Sequence, residues 1–400
     1  MRGTMRAIAG LGLLVAAPAM AQPIVVADSG DSAWVLAAAL VGLIASLGGF
    51  TLFHGRGRGE TTGLAVVAAS AITTLVFAIF GYSLIFGDGS AILGGPSNLM
   101  LGGLGTVVDG ATISEAVFVF FQLALALFAV TALVSAVAPT ARYGWLVPLA
   151  GLWVVIVYIP VARWVWAGWL TDLGALDYAG GIAVQISVGV SAFVVAMLLR
   201  NNVPGNEEKD IPALGTVGAA SVAIGWLALI GGSALGGSGD AAVAIVNALL
   251  SASAAIVTGM LIGGLKHRGY TPELVSAYGL AGLAAISAGA SLMGVAGAIL
   301  IGIVAAVIAT GAIAFTGAFG LGSGGKAFVI HGAPAIVGAL AFPVFMLPGF
   351  GGTGFAEGSS LGTLLAQQGI AVLAVALWAA VATVIAALIV SFVVPMKRVD

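Results

Sequence analysis

Long apolar runs, separated by short polar connections, recur along almost the whole chain. Each run is about 20 residues long, the length at which a helix spans the hydrocarbon core of a bilayer. A helix suits this environment because it satisfies its own backbone hydrogen bonds in lipid. We therefore predict an all-α polytopic membrane protein. About eleven transmembrane helices are predicted, over residues 33–53, 62–86, 112–138, 143–163, 178–199, 212–232, 240–264, 274–293, 295–317, 327–347 and 366–395.

The N-terminal residues have a different pattern, typical of a cleavable signal peptide. Two arginines are followed by a short apolar core over residues 8–17 and by a small-residue cleavage site at residues 19–21. A first transmembrane helix is the alternative, but this apolar run is short for a span. We predict a signal peptide over residues 1–21 and one transmembrane domain over residues 22–400.

The basic residues indicate the orientation of the chain. Of the 13 lysines and arginines, two lie in the predicted signal peptide, and only Arg163 of the other eleven falls outside one alternating set of connections. Cytoplasmic loops are enriched in Lys and Arg. We therefore expect a multi-pass protein of the cell (inner) membrane, with its N-terminus outside and its C-terminus in the cytoplasm. The ten residues of the alternating set are Arg56, Arg58, Arg142, Arg200, Lys209, Lys266, Arg268, Lys326, Lys397 and Arg398.

The helices divide into two groups of five, followed by a final helix. The fifth helix ends the first group and carries Gln185, and the tenth ends the second group and carries His331. Each sets one polar side chain among small residues. Because five is an odd number, the second group enters the membrane from the opposite side, as in transporters built from inverted repeats. We predict two inverted five-helix repeats with a site near the midplane between them.

Composition narrows the classes of function. The chain is 61% hydrophobic and 7% charged, has no cysteine and has a mean hydropathy of +1.19. These values exclude a soluble domain, a disulfide and a thiolate metal site. There is no basic tract for nucleic acid, and the sequence has no metal-ligand cluster or phosphate-binding loop. We expect the lipid bilayer as a partner, no cofactor and no enzyme activity, with an intramembrane enzyme as the weaker alternative.

Residues 176–187 carry an informative polar pair. Asp177 stands at the mouth of an apolar helix, and Gln185 lies about two turns deeper, with small residues between them. A carboxylate at that position can cap the helix by accepting free backbone N–H groups. The alternative is that Asp177 shapes or electrostatically primes the entrance to a pathway, because ionisable groups near membrane helices tend to be functional. Gln185 lies near mid-membrane, where an amide needs a partner or lines a cavity.

Other polar residues within the predicted spans are few. His331 is interpreted as the only membrane-embedded histidine, since His54 and His267 fall in basic loops. It is either a hydrogen-bonded packing residue or a group that offers one donor and one acceptor to a permeating molecule. The remaining candidates are Glu115, Gln122, Ser187, Ser233 and Asp240.

Two tryptophans precede Asp177 on the predicted external side, namely Trp166 and Trp169. They are either interfacial tryptophans, which are common at membrane boundaries, or an aromatic face that attracts a cation before it loses water. Ser233 ends the sixth helix on the same side. Its hydroxyl can therefore lie with the two tryptophans in an external vestibule, the predicted entrance to the pathway.

Several motifs resemble the ammonium transporter (Amt/Mep/Rh) family, over residues 31–396. The resemblance implies an ammonium-transporter-like domain with eleven helices, an extracellular N-terminus and a homotrimer that has one pore per subunit. It also implies ammonium or ammonia as the substrate. The matching segments are Asp31-Ser32-Ala33-Trp34-Val35-Leu36, Leu52-Phe53-His54-Gly55, Gly81-Tyr82-Ser83-Leu84-Ile85-Phe86-Gly87, Arg163-Trp164-Val165-Trp166, Gly174-Ala175-Leu176-Asp177-Tyr178-Ala179-Gly180-Gly181 and Phe355-Ala356-Glu357-Gly358.

The resemblance also implies roles for single residues. Trp166 and Ser233 would form an external recruitment site for ammonium, with Asp177 as a structurally essential acid beside it. His331 would be the second histidine of the family's twin-histidine pore pair. Gln185 stands where the first pore histidine is expected, and a glutamine side chain does not titrate near neutral pH. A proton relay between two imidazoles would therefore be poor in this chain.

Further departures from the family pattern concern the constriction and the tail. Leu125 and Leu229 stand where the family has two gating phenylalanines, which keeps the constriction apolar but removes ring faces that attract cations. Ser323 or its neighbours replace an acid before the second histidine. The C-terminal tail that helps engage the PII signal-transduction protein is essentially missing, which makes a PII-type regulator doubtful.

Three hypotheses about function remain open from the sequence. The first is transport of ammonium or ammonia through a narrow apolar pore with an external recruitment site, and Trp166, Asp177, Ser233 and His331 favour it. The second is a channel for another small neutral solute such as carbon dioxide, which Gln185 and the two leucines favour. The third is a non-conducting sensor relative, which would normally require a signalling tail.

Overall fold

The computed structural model describes residues 28–55, 59–200, 212–265 and 269–397. Within those ranges the regular structure consists of helices, and β-pairing is limited to three isolated bridges. The predicted all-α class is therefore confirmed. The predicted signal peptide lies outside the described residues.

The helices follow the predicted order. All of them except α8 are long and apolar enough to cross a membrane, which gives ten such spans in the described part of the chain. The helices are α1 (Ser29–His54), α2 (Gly59–Phe86), α3 (Glu115–Val137), α4 (Tyr143–Leu173), α5 (Gly181–Leu198), α6 (Ala213–Gly232), α7 (Gly239–Leu265), α8 (Pro272–Ile286), α9 (Val295–Ala318), α10 (Gly322–Phe345) and α11 (Leu361–Ser391).

Helix α8 is shorter than the predicted span of 274–293, because the chain tightens into a 3₁₀ turn at Ser287–Gly289. Two carbonyl groups of that turn accept hydrogen bonds from the N–H groups of Tyr178 and Ala179, at 2.9 Å each. The turn is thus tied to the loop that precedes α5. Hydropathy does not record such tertiary hydrogen bonds, so the apolar run overestimates the length of the helix.

Helix α4 runs beyond its predicted end at residue 163 and contains a break at Gly168. At the break the N–H group of Trp169 donates to the carbonyl oxygen of Ala91, at 3.0 Å. A Cβ atom at Gly168 would lie 2.3 Å from that same oxygen, so the close approach requires a glycine. The break fixes the loop after α2 against the end of α4, close in sequence to Trp166.

Several helices contain a turn with π-helical hydrogen bonding. Two of these wider turns hold the polar residues singled out from the sequence: Gln185 lies in Gly181–Ile186 of α5, and His331 lies in Phe328–Gly332 of α10. The π-helical turn is rare and is often found at functional sites. Both central helices therefore change their backbone geometry where they present a polar side chain.

Helices α5 and α10 cross in close contact and run antiparallel. The first turn of α5 packs against the second half of α10, and the first turn of α10 packs against the second half of α5. At the crossing, a Cβ atom added to Gly189 would lie 2.1 Å from the backbone nitrogen of Gly332. Small residues of this kind allow close packing of membrane helices. The antiparallel pair agrees with the predicted inverted repeats.

Candidate functional site

His331 and Gln185 form a buried hydrogen-bonded pair between α5 and α10. The Nδ1 atom of His331 lies 2.7 Å from Oε1 of Gln185. His331 is fully buried and Gln185 is 2% exposed. The two residues come from the antiparallel helices α5 and α10, so the structure brings together the polar side chains that close the two halves of the sequence.

This hydrogen bond determines the tautomer of the imidazole. An amide oxygen only accepts, so with the amide in this orientation the proton of neutral His331 lies on Nδ1. The Nε2 atom is then an acceptor, and it has no hydrogen-bond partner among the residues that the structure describes. A buried acceptor without a partner is unfavourable. The pair therefore presents a nitrogen lone pair to any small N–H or O–H donor that reaches it.

Aromatic rings enclose the His331 imidazole. Trp226 stacks on it with the ring centroids 5.3 Å apart and the planes 16° from parallel. Phe50 and Phe128 lie at centroid distances of 5.9 Å and 6.4 Å. We call this group, with Gln185, the His331 pocket. Sequence reasoning missed all three rings, although a tryptophan in the middle of an apolar span, away from the membrane boundary where it is common, was a signal.

A cavity of about 210 Å³ lies near one end of the helix bundle. It contains four of the residues predicted from the sequence, although these come from α3, α4 and the turn after α6: Trp166, Ser233, Leu125 and Gln122. We call this cavity the vestibule. Its full lining is Phe86, Phe118, Phe121, Gln122, Leu125, Trp166, Tyr178, Ser233 and Leu235.

The hydrogen bonds of Trp166 and Ser233 decide what the vestibule can offer a ligand. The indole N–H of Trp166 donates to the carbonyl oxygen of Asp177, at 3.2 Å. The hydroxyl of Ser233 donates to the carbonyl oxygen of Leu229, at 2.9 Å. Since both donors are engaged within the protein, the groups left for a ligand are the hydroxyl lone pairs and the indole face. Both favour a cation.

Asp177 caps helix α5. Its carboxylate oxygens accept hydrogen bonds from the backbone N–H groups of Ile182, at 3.0 Å, and Ala183, at 2.8 Å. The chain reverses at Gly180, whose φ angle of +76° is left-handed. Burial raises the pKa of the Asp177 carboxyl to about 6, while hydrogen bonds from the backbone of Ala183, Ile182 and Gly181 act in the opposite direction. Asp177 is not among the residues that line the vestibule.

The two leucines expected at the constriction differ in their positions. Leu125 is 4% exposed and lines the vestibule. Leu229 is 2% exposed and packs against Gly42, where an added Cβ atom would lie 2.6 Å from Leu229 Cδ2. A phenylalanine ring that sequence reasoning missed, Phe121, stands one turn before Leu125 and also lines the vestibule. An aromatic ring therefore stands beside Leu125, one of the two leucines predicted at the constriction.

The placement of His54 in a basic loop was wrong. This residue ends α1, is 2% exposed, and its Nδ1 atom lies 2.9 Å from Oγ of Ser135. Its ring stacks on Phe50 at a centroid distance of 6.1 Å. His331 is therefore not the only buried histidine. The run of basic residues that suggested a loop begins only after α1 ends, and His267 lies outside the described residues.

The remaining polar candidates have separate environments. The hydroxyl of Tyr82 donates to Glu115 at the start of α3, Asp240 is exposed in the first turn of α7, and Ser187 is buried two residues after Gln185. Among the described residues there is no group of three His, Cys, Asp or Glu side chains that could hold a metal ion.

Known families provide an independent comparison for this arrangement. The sequence model described as the Ammonium Transporter Family matches residues 33–400 of this chain. The chain belongs to the ammonium transporter family. Membership confirms the resemblance drawn from the motifs, while the roles of single residues remain predictions.

Individual members of the ammonium transporter family match nearly the whole chain. It is 36% identical over 372 residues to ammonium transporter Amt1 of Archaeoglobus fulgidus, with 90% of this chain and 92% of that protein covered. It is 31% identical to the ammonium transporter of Aquifex aeolicus, over 92% of this chain and 89% of that protein. Among solved structures, Candida albicans Mep2 has a TM-score of 0.84 at 25% identity and covers 93% of this chain and 87% of its own.

Proposed function

We propose that this protein transports ammonium or ammonia across the membrane through a pathway that runs from the vestibule to the His331 pocket. The observation that carries the proposal is the buried His331–Gln185 pair, whose Nε2 acceptor has no partner among the described residues. Family membership supports the substrate class. The steps below follow from the contacts of the residues on this route.

The vestibule is the proposed recruitment site. The face of Trp166 attracts a cation through the quadrupole of the ring, and the lone pairs of Ser233 accept an N–H from ammonium while its own proton is held by Leu229. Asp177 supports this site from behind: its carbonyl oxygen accepts the indole N–H and so fixes the orientation of the Trp166 ring.

The constriction at Phe121, Leu125 and Leu229 is the proposed step at which the charge is lost. Each of these residues is at most 4% exposed, and none carries a group that replaces the water of hydration. An unpaired charge in such surroundings is very unfavourable, whereas a small neutral molecule is not. We infer that the cation transfers its proton to external water on the vestibule side, giving hydronium that diffuses away, and that neutral ammonia continues.

The His331 pocket is the proposed binding point for neutral ammonia. Ammonia donates an N–H to Nε2 of His331, which satisfies the buried acceptor. Gln185 holds the imidazole in the required tautomer, but it cannot take up or release a proton near neutral pH. A relay through this pair is therefore blocked, and we expect transport with little net charge.

The assembly and orientation that we propose follow from the family and from the basic residues. The N-terminus lies outside and the C-terminus lies in the cytoplasm, because the lysines and arginines concentrate on one alternating set of connections. The protein would act in the cell (inner) membrane as a homotrimer with one pathway per subunit.

A second candidate function is passage of another small neutral solute such as carbon dioxide. The apolar side chains of Leu125 and Leu229 at the constriction and the non-titrating Gln185 favour it, because none of these residues requires an N–H donor as the ligand. The Nε2 acceptor of His331 favours ammonia over a solute that has no hydrogen to donate.

An ammonium step applied to proteoliposomes, with membrane current and internal pH recorded together, tests the proposal. Internal alkalinisation that is faster than in empty liposomes, with little current, is the expected result. A large ammonium-dependent current would contradict the neutral step, and the absence of both signals would contradict ammonium transport. The second candidate is tested by applying a step of carbon dioxide to the same vesicles. Internal acidification that is faster than in empty liposomes would support it.

A further inference from the structure

Gln122 is a buried polar residue of the vestibule to which the proposed function gives no role. It lies in α3 and is 8% exposed. Its Oε1 atom is buried and has no hydrogen-bond partner among the residues that the structure describes. A buried amide oxygen is normally satisfied by a donor. This oxygen is itself shielded from the cavity, but the Gln122 side chain lines the vestibule, so rotation of the amide would give the oxygen access to a donor there.

The geometry of α3 places Gln122 on the ligand-facing side of the helix. Phe118, Gln122 and Leu125 follow one another at spacings of four and three residues, which puts them on one helix face, and all three line the vestibule. Trp166 and Ser233, from α4 and the end of α6, complete the wall. Gln122 therefore shares a cavity of about 210 Å³ with both proposed recruitment residues.

The chemistry of the ammonium ion explains why a further acceptor is useful there. The ion has four N–H donors, and each loses a hydrogen bond to water as the ion enters the cavity. Ser233 supplies one hydroxyl oxygen, and the Trp166 face supplies attraction to the positive charge but not a strong directed hydrogen bond. An amide oxygen accepts up to two hydrogen bonds without adding a charge. It can therefore hold the cation without trapping it as a carboxylate would.

We propose that Gln122 is a ligand of the ammonium ion in the vestibule and that its amide oxygen, with the Ser233 hydroxyl, replaces water lost by the ion. A half-turn about the terminal bond of the side chain exchanges the amide oxygen and nitrogen, so the oxygen can be presented to the cavity. The inference rests on the proposed function, since it names a residue of the same site.

Three variants of α3 test the proposal in proteoliposomes. Gln122→Met keeps an unbranched side chain of similar length but removes the acceptor, and Gln122→Glu provides a stronger, charged acceptor. Leu123→Met is the control, because the residue is adjacent in the helix but does not line the vestibule. We expect Gln122→Met to raise the half-saturating ammonium concentration by about fivefold to tenfold at an unchanged maximal rate. Gln122→Glu should lower it, and the control should match the wild type.

A binding measurement separates the proposed role of Gln122 from the proposed transport function. A second variant keeps the test decisive if one variant folds poorly. Ammonium chloride should raise the thermal unfolding midpoint of the wild type relative to sodium chloride, since a ligand stabilises the state that binds it, and Gln122→Met should reduce that shift. Suppose that the wild type transports ammonium and that both Gln122 variants have the same half-saturating ammonium concentration as the wild type. The proposed role of Gln122 is then wrong, and the proposed function stands. If Gln122→Met does not fold, an unchanged Gln122→Glu likewise overturns the role. No ammonium signal in the wild type would instead overturn the proposed function.

Discussion

The vestibule and the His331 pocket lie on the same proposed route but differ in what they offer to a positive charge. The vestibule has about 210 Å³ of space and is lined by uncharged polar side chains, Ser233 and Gln122 among them, and by the indole of Trp166. The His331 pocket is packed by three aromatic rings around a fully buried imidazole, and its free acceptor is a single nitrogen. A hydrated cation fits the first environment, and a small neutral donor fits the second.

On the proposed route, this difference would assign recognition of the cation to the vestibule and passage of the neutral molecule to the His331 pocket. Aromatic residues occur in both regions, so ring content alone does not distinguish them. The distinguishing features are space and the number of acceptors, because a cation that leaves water requires several acceptors at once. Variants that affect one region and leave the other intact will show whether the two tasks can be separated.

The largest effect is expected for Asp177→Ala, because both regions depend on the start of α5. The substitution leaves the N–H groups of Ile182 and Ala183 without their acceptor, at about 1–3 kcal/mol each. The free energy of unfolding of a folded protein is typically about 5–15 kcal/mol, so this loss is a large part of it. We expect little monodisperse protein after size-exclusion chromatography and no transport. Asp172→Ala changes an exposed acid near the end of α4 and is the control. A fully active Asp177→Ala would refute the assignment of Asp177 as a structurally essential acid.

A substitution confined to the vestibule should alter affinity but not the passage step. Trp166→Leu removes an attraction of about 0.5–2 kcal/mol, so the half-saturating ammonium concentration should rise about twofold to thirtyfold. The half-saturating concentration is obtained by measuring uptake into proteoliposomes at a series of ammonium concentrations. Trp169→Leu changes a nearby tryptophan that does not line the vestibule and should have little effect. Equal losses in both variants would indicate a general role in packing at this end of the bundle.

How far the sequence predicts this arrangement depends on the kind of contact. Hydropathy identified the helices well, because membrane spans require long apolar runs. It failed at the end of α8, where hydrogen bonds to Tyr178 and Ala179 shape the chain. His54 was assigned to a loop because of its charged neighbours in sequence, although it packs against Phe50 in space. Local sequence cannot show which face of a helix a distant helix covers.

The site itself was predicted by residue type more than by arrangement. Trp166 and Ser233 were expected in one vestibule, and the structure places both in the lining of one cavity. Trp226 was missed because most aromatic residues in apolar spans only pack in the core, so its position away from the membrane boundary was a weak signal. The π-helical turns that carry Gln185 and His331 have no sequence signature, since the same apolar residues also form ordinary helix.

A change confined to the His331 pocket should alter the charge carried and leave recruitment unchanged. Gln185→His restores a second titratable ring beside His331, and two imidazoles can exchange a proton because each nitrogen switches between donor and acceptor. We expect the ammonium-dependent current to rise severalfold relative to the rate of alkalinisation, with the half-saturating concentration unchanged. Gln185→Met removes the hydrogen bond without adding a titratable group, so its current should not rise. An unchanged current in Gln185→His would count against proton relay as the missing property.

The smallest effect concerns the pH dependence of stability and is due to Asp177. Burial raises the pKa of its carboxyl to about 6, from 3.8, so the folded state binds this proton more tightly than the unfolded state does. The stabilisation is complete below the unfolded pKa and is lost as the pH rises through about 6. Relative to Asp177→Asn, which does not titrate, the thermal unfolding midpoint of the wild type in detergent should therefore fall between pH 4 and pH 7. A midpoint difference that stays constant or increases with pH would show that the backbone N–H groups of Ile182 and Ala183 outweigh burial, and the carboxylate would then act as the charged cap of α5 throughout this range.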